Sequence, residues 1–285
     1  MPKVTKKTLN CRGRLVDLTT PAVMGILNVT PDSFFAGSRL SGQQSVAEAA
    51  VEIAQKMLAD GATFLDIGGY STRPGAAEVS PSEEAARVLP AIEAIVHRFP
   101  DALISVDTFR ASVARQAIGA GAALINDVAG GTLDPAMFET AAALNAPYIL
   151  MHMRGTPQTM QSLATYQHVA TEVIDELSIR LAELRSFGVK DVILDPGFGF
   201  AKTPAQNFLL LNSLANFGLF DEPLLVGLSR KTTIWKTLNI SADEALNGTT
   251  VLNTIALQKG ASILRVHDVR EAVEAVKLTR HLTFF

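Results

Sequence analysis

The feature that most restricts how this chain can fold is a repeated alternation. Short, mostly apolar runs that end in a polar residue or glycine are separated by segments with helical periodicity. The runs are Val23–Val29, Phe64–Ile67, Leu103–Val106, Ala123–Ile125, Tyr148–Met151, Val192–Leu194, Leu224–Val226 and Ile263–Val266. They are apolar at consecutive positions, as strands buried on both faces must be. After the first run, Val46, Ala49, Ala50, Ile53, Met57 and Leu58 trace one helical face. Ser45-x-x-Glu48 predicts a capping box at its start, and Gly61 predicts its stop. Ser80-Pro81-Ser82-Glu83 predicts a second box with proline at the first helical position, and Pro90 predicts a kink further along. The longest helical stretch runs from Thr165 to Phe187, before Gly188. Gly61-Ala62, Gly121-Ala122, Gly260-Ala261 and Gly188-Val189 each close a helix just ahead of a strand, a weak internal repeat.

Eight β-then-α units within 285 residues fit an α/β fold of the (β/α)8 TIM-barrel type. An open doubly wound sheet is the rival, but no Gly-x-Gly-x-x-Gly follows the first strand. The opening residues read differently. Stretches around Lys7–Cys11 and Arg14–Asp17, joined by Arg12-Gly13, predict a hairpin within 1–20 that caps the bottom of the barrel. No linker or low-complexity run divides the chain, so the expectation is one domain over 1–285. With 48% hydrophobic but only 6% aromatic residues, Ala, Leu, Val and Ile must fill the interior.

A net charge of −3 supplies no global attraction for nucleic acid or anionic membrane, so any anion must be held locally. Cys11 is the only cysteine, which excludes an intrachain disulfide and a thiolate metal cluster and fits a reducing cytoplasm. The basic N-terminus is followed by no apolar core of a signal peptide, and every apolar run is too short to span a bilayer.

In a (β/α)8 barrel, polar groups at the C-terminal strand ends face the site. Here they are Asn28 and Asp32 after the first strand, Asp66, Asp107, Asn126-Asp127, Asp195, Ser229-Arg230-Lys231, and Arg265 with His267. A lone Asp after a strand is often the N-cap of the next helix, the reading given to Asp127 and Asp268. His152 reads as a satisfied core or rim histidine, and His97 and His168 read as surface. Asp107, Asn126 and Asp195 are acceptors suited to an amidine-like edge. Arg73, Lys231, Arg265 and His267 form a cationic group suited to phosphate oxygens. Together they point to a small substrate with a hydrogen-bond-donor head and an anionic tail. Asn28 with Asp32 offers oxygens to a divalent ion.

Taken together, seven strings resemble the dihydropteroate synthase family. They are Asn28-Val-Thr-Pro-Asp-Ser-Phe34, Asp66-Ile-Gly-Gly with Ser71-Thr-Arg-Pro-Gly75, Ser105-Val-Asp-Thr108, Ile125-Asn-Asp127, Asp195-Pro-Gly-Phe-Gly199, Ser229-Arg-Lys231 and Arg265-Val-His-Asp268. They stand in the family's order from about Val23 to the end. The resemblance implies condensation of 7,8-dihydropterin-6-ylmethyl diphosphate with 4-aminobenzoate, giving dihydropteroate and pyrophosphate. It also implies a homodimer and inhibition by sulfonamides. By the same resemblance Asp107, Asn126, Asp195 and Lys231 hold the pterin, with Met151 and Phe200 as further substrate contacts. Asn28 binds Mg²⁺ and, with Arg73, Arg265 and His267, the diphosphate. Thr72, Pro74 and Phe34 shape the aminobenzoate pocket.

Three positions depart from the family's usual pattern. Tyr70 stands where Glu is usual, Phe35-Ala36-Gly37 where a Ser-Asp-Gly type is, and Thr232 where Ser is. The alternatives left open are a methyltetrahydrofolate:corrinoid methyltransferase, an aldolase using Lys231 as a Schiff-base nucleophile, and a non-catalytic pterin-binding paralogue.

Overall fold

The computed structural model describes residues 7–30, 45–71 and 78–282. Strands β3 (Ala22–Asn28), β4 (Phe64–Gly68), β5 (Leu103–Asp107), β6 (Leu124–Asp127), β7 (Tyr148–Met151), β8 (Val192–Asp195), β9 (Leu225–Val226) and β10 (Ile263–Val266) form one parallel sheet. Their order is β8-β7-β6-β5-β4-β3-β10-β9, and a parallel bridge from Leu194 to Leu224 brings the two ends of the sheet together. The chain is thus a nearly closed (β/α)8 barrel. Each apolar run became a strand to within a residue or two at either end.

The helices that cover the ring follow the stop and start signals unevenly. In α1 (Val46–Ala59) both halves of the Ser45–Glu48 capping box are present, with bonds of 3.2 and 2.9 Å. In α2 (Pro81–Arg98) only half of the expected box forms. Ser80 accepts from the Glu83 N–H, while the Glu83 carboxylate turns to Arg87 one helical turn on, at 2.6 Å. The same helix runs through Pro90 to Arg98. Pro90 is on the exposed face, where water can serve the carbonyl that proline leaves unpaired. The long helix α3 (Val169–Ser186) begins four residues later than its pattern suggests, with His168 exposed at its N-cap.

Strands β1 (Thr8–Cys11) and β2 (Arg14–Asp17) form the antiparallel hairpin, turning through Arg12 and Gly13, both at positive φ. Leu9 and Cys11 are fully buried beneath the ring. There they meet Met24, Phe64, Leu103, Leu124, Ile149, Ile193, Leu225 and Ile263, one residue from each strand. This apolar plug fills the bottom of the barrel. Side chains alternate along a strand, so the inward position two residues further on lies above it. Those positions are Ile26, Asp66, Ser105, Asn126, Met151, Asp195, Gly227 and Arg265, with Asp107 and Asn28 one step higher. The interior is therefore layered, apolar below and mainly polar above, and the upper layer opens at the C-terminal face. Among the described residues no helix is long and apolar enough to cross a membrane.

Candidate active site

The polar layer is wired across the barrel. Asp66, whose side chain is fully enclosed, accepts through one oxygen from the Asn126 amide at 2.9 Å and from Arg265 Nε at 2.6 Å. The other arm of the Arg265 fork donates to Asp107 Oδ2 at 2.6 Å. Residues that the sequence separates into acceptors and cations thus interleave, because Arg265 bridges two carboxylates from a strand beyond β3. Burial works against the charge on Arg265, but Asp66 and Asp107 outweigh it and hold the guanidinium above its ordinary range. Burial pushes the Asp107 carboxyl up to about 7 against the pull of Arg265, with Asp66 adding to the rise. Asn28 completes this side. A Cβ placed on Gly68 would lie 3.7 Å from Asn28 Oδ1 and 3.3 Å from Asp107 Cβ, so the bare glycine lets the two approach.

Across the mouth, Asp195 accepts the Gly197 N–H at 2.7 Å. Its carboxyl is raised by burial, opposed by Lys231, this N–H and Arg265. Just after β9, Gly227 brings no side chain to the ring, and Lys231 Nζ stands 3.8 Å from where its Cβ would be. The ammonium bonds the Phe198 carbonyl and lies 4.8 Å from the Phe200 ring centroid. Burial lowers Lys231 to about 8, against the pull of Asp195. At neutral pH it remains mainly a cation.

Met151 is buried with Val128, Ala129, Met153, Met160 and Ala201, and Phe109, Leu133 and Phe200 pack on the same cluster. This is an apolar wall beside the acceptors, the kind of surface a flat heterocycle packs on. His267 is exposed at the end of β10, with its Nδ1 3.0 Å from the Ser229 hydroxyl, which also accepts the His267 N–H at 3.1 Å.

Two aspartates read as helix N-caps do other work. Asp127 accepts from the Ala129 and Gly131 N–H groups of a turn and from the Tyr148 hydroxyl. Asp268 occupies the N-cap position of the last helix (Val269–Thr279) without capping it. It grips Arg230 through two bonds of 2.9 and 2.8 Å. Arg230 sits at φ +53, which turns its guanidinium outward to Asp268 while Lys231 enters the site. His152 is buried with both ring nitrogens engaged, as expected, and His97 and His168 are exposed.

Thr72, Arg73, Pro74 and Phe34, with Asp32 and Phe35, lie outside the described residues. Their neighbour Tyr70 is described. Its ring meets Phe109 edge-on at 5.2 Å, Arg110 lies over it at 5.3 Å, and its hydroxyl accepts from Gln158 at 3.1 Å. The sequence puts Asp66 and Ser229 at strand ends but assigns neither a role. The signal that could have picked out Asp66 is its place two residues above the buried Phe64.

The arrangement is a half-buried mouth with hydrogen-bond acceptors, a cationic rim and an apolar wall. It can hold a flat, donor-bearing ring and stabilise negative charge leaving from it. A family model for pterin binding enzymes matches residues 24–267. The dihydropteroate synthase of Escherichia coli (strain K12) is 46% identical over 272 residues, covering 95% of this chain and 94% of that protein. The solved Yersinia pestis dihydropteroate synthase, in complex with a sulfonamide drug, superposes with a TM-score of 0.88 at 44% identity, over 96% of this chain and 100% of that one. The Xanthomonas albilineans dihydropteroate synthase in complex with 7,8-dihydropteroate superposes at 0.86 and 36% identity, over 97% and 100%.

Proposed function

The chain belongs to the pterin-binding enzyme family, and from that premise we infer that it is a dihydropteroate synthase, joining 7,8-dihydropterin-6-ylmethyl diphosphate to 4-aminobenzoate. The C–O bond to diphosphate breaks, a bond from the amine nitrogen to the pterin methylene forms, and the amine loses a proton. What supports this reading is the inner polar ring itself, where Asn126, Asp195 and Asp107 stand with Arg265 and Lys231 over a packed apolar floor.

The roles of individual residues follow from their chemistry. Asp195 and Asn126 accept from the pterin's N–H edge, Lys231 donates to its acceptor atoms, and Met151 with Phe200 packs on its face. As diphosphate leaves, positive charge grows on the methylene, and the nearby carboxylates stabilise it. Arg265, His267 and Arg73 receive the departing oxygens. The aromatic amine is neutral at pH 7 and needs no strong base. Thr72, Pro74 and Phe34 shape its pocket, and a sulfonamide competes for the same place.

Asn28 Oδ1, a hard oxygen beside the Asp107 carboxylate, fits Mg²⁺. Among the described residues no group of three or more His, Cys, Asp or Glu is arranged to enclose an ion, so diphosphate and water would complete its shell. Such an ion would neutralise the leaving group's charge. EDTA should therefore abolish turnover and Mg²⁺ restore it, and full activity in excess chelator removes this role from Asn28.

The exposed apolar side chains Ile179, Leu209, Leu238 and Val251, on successive outer helices, support a homodimer. The buried free thiol of Cys11 suits the reducing cytoplasm. The deciding experiment is pyrophosphate release with and without 4-aminobenzoate. Release that requires the amine is expected. Folded protein that releases none, or that releases it equally without amine, refutes the reading.

A further inference from the structure

Beneath the acceptor side of the mouth lies a charged chain that takes no part in the roles above. Lys202 is only 3% exposed, yet its ammonium has three acceptors. They are the Gly197 carbonyl at 3.0 Å, the Phe200 carbonyl at 3.1 Å and His152 Nδ1 at 3.0 Å. An ammonium has three donors, so each N–H is matched. For Nδ1 to accept, the His152 proton must sit on Nε2, and Glu176 Oε2 is 3.0 Å from that nitrogen. The other oxygen of Glu176 is held by Arg154, which also binds Glu172 at 2.9 Å and the Thr165 carbonyl at 2.6 Å. A continuous line of charge-assisted bonds thus runs from helix α3 to the turn after β8.

That turn is tightly drawn. Gly197, Gly199 and Ala201 are all at positive φ, and a Cβ on Gly197 would stand 1.9 Å from the His152 carbonyl oxygen. The Gly197 N–H closes on Asp195 at 2.7 Å and the Gly199 N–H on Asn207 at 2.9 Å. Lys202 therefore holds the two carbonyls that bracket the turn carrying the Asp195 partner and the Phe200 ring.

We propose that Lys202 is a positioning residue for the pterin. Its ammonium, oriented by the His152–Glu176 pair, clamps the Gly197 and Phe200 carbonyls and so sets the Asp195 carboxylate and the Phe200 ring against the substrate. The assignment rests on the reading that the pterin sits on Asp195. The clamp also acts electrostatically. The cations that face Asp195 are Lys231 at the start of its helix, Arg265 on β10 and Lys202, and all three oppose the burial that raises its carboxyl. Lys202 itself faces Asp195, Lys231, Glu176 and Arg154, with His152 in direct contact, and burial lowers its ammonium to about 7, so its charge is fully present only on the acid side of neutrality, where the acid limb is read. Without the Lys202 charge, Asp195 keeps its proton to higher pH and the pterin loses an ionised acceptor.

The test is titration of 7,8-dihydropterin-6-ylmethyl diphosphate onto wild type, Lys202→Met and Glu176→Gln across pH, with steady-state kinetics for both substrates. Lys202→Met should weaken pterin binding about tenfold, the worth of one charge-assisted hydrogen bond. It should also move the acid limb of pterin affinity to higher pH and leave the KM for 4-aminobenzoate unchanged. Glu176 lies partly exposed on α3, so Glu176→Gln keeps the fold if Lys202→Met does not, and the same limb should move by less. Variants that fold and bind pterin like wild type with an unmoved acid limb overturn the assignment. A loss of affinity without that shift, and with both KM values raised alike, marks general destabilisation and overturns it too. A wild type that does not bind the pterin sinks the functional reading and this assignment together. A wild type that binds while both variants bind as well sinks this assignment alone.

Discussion

Replacing Arg265 by Met tests the central ion network, because one guanidinium there serves two carboxylates. The variant removes a 2.6 Å bond to Asp66 and another to Asp107, leaving both charges over the apolar plug. Removing one partner of a buried pair costs about 3–5 kcal/mol. The lower end applies here, for two reasons. The Arg265 and Asp107 side chains are 19% and 16% exposed, so water screens them in part. Asp107 can also escape by taking up a proton, since burial already raises it to about 7. Asp66 has no such access to solvent and keeps only the Asn126 donor.

The pH dependence follows from that raised carboxyl. Between the ordinary value of 3.8 and about 7 the folded state binds the Asp107 proton more tightly than the unfolded chain does. Its contribution is therefore fully present below 3.8 and is lost as pH rises through about 7. Arg265 opposes the rise, so in Arg265→Met the carboxyl moves higher still and stability falls more steeply from pH 6 to pH 8. Urea unfolding of both proteins at pH 6, 7 and 8 reads the deficit at constant slope. A deficit of about 3 kcal/mol at pH 8 that shrinks at pH 6 is expected. Adding Asp107→Asn should recover part of it. A deficit below about 1 kcal/mol, the size typical of an exposed pair, or one independent of pH, would refute the network as the source.

Asp195→Asn can still accept the Gly197 N–H through its amide oxygen, but it turns a donor toward the pterin. The loss should be about 1.5–3 kcal/mol in kcat/KM for the pterin substrate, as for a hydrogen bond to a charged group. Near-normal kinetics would show that Asp195 only closes the turn. Tyr70→Glu with Phe35→Ser should shift the KM for 4-aminobenzoate, and sulfonamide inhibition in parallel, while pterin affinity changes little. Tyr70 is held by Phe109, Arg110 and Gln158 and stands three residues before Arg73 in the chain. A collapse of pterin affinity with an unchanged aminobenzoate KM would put these residues on the wrong side of the site.

The barrel was legible because a strand buried on both faces must be apolar at consecutive positions, and eight stretches of this chain are. The polar strand ends were legible for the same reason, since a charge that closes an apolar run has few places to go except the mouth. What the sequence could not show is which of them touch. Arg265 and Asp66 are 199 residues apart, and no local pattern pairs them. Asp127 and Asp268 look like N-caps in one dimension, yet a tyrosine and an arginine from other units claimed them. Lys202 follows a glycine-rich turn and resembles any surface lysine until His152, 50 residues away, is packed beneath it.

One rule that needs only sequence would have recovered more. Once Phe64, Leu124, Ile193 and Ile263 are taken as the inward layer at the bottom, alternation alone places Asp66, Asn126, Asp195 and Arg265 directly above them, facing one another. Four ionic or amide side chains confined to one ring above a dry plug must pair with each other or with a ligand, because burying them unpaired costs too much. The ring is therefore poised between two sets of partners. The contact between Arg265 and Asp107 that stabilises the protein without substrate is one that a diphosphate and a pterin would have to share or replace.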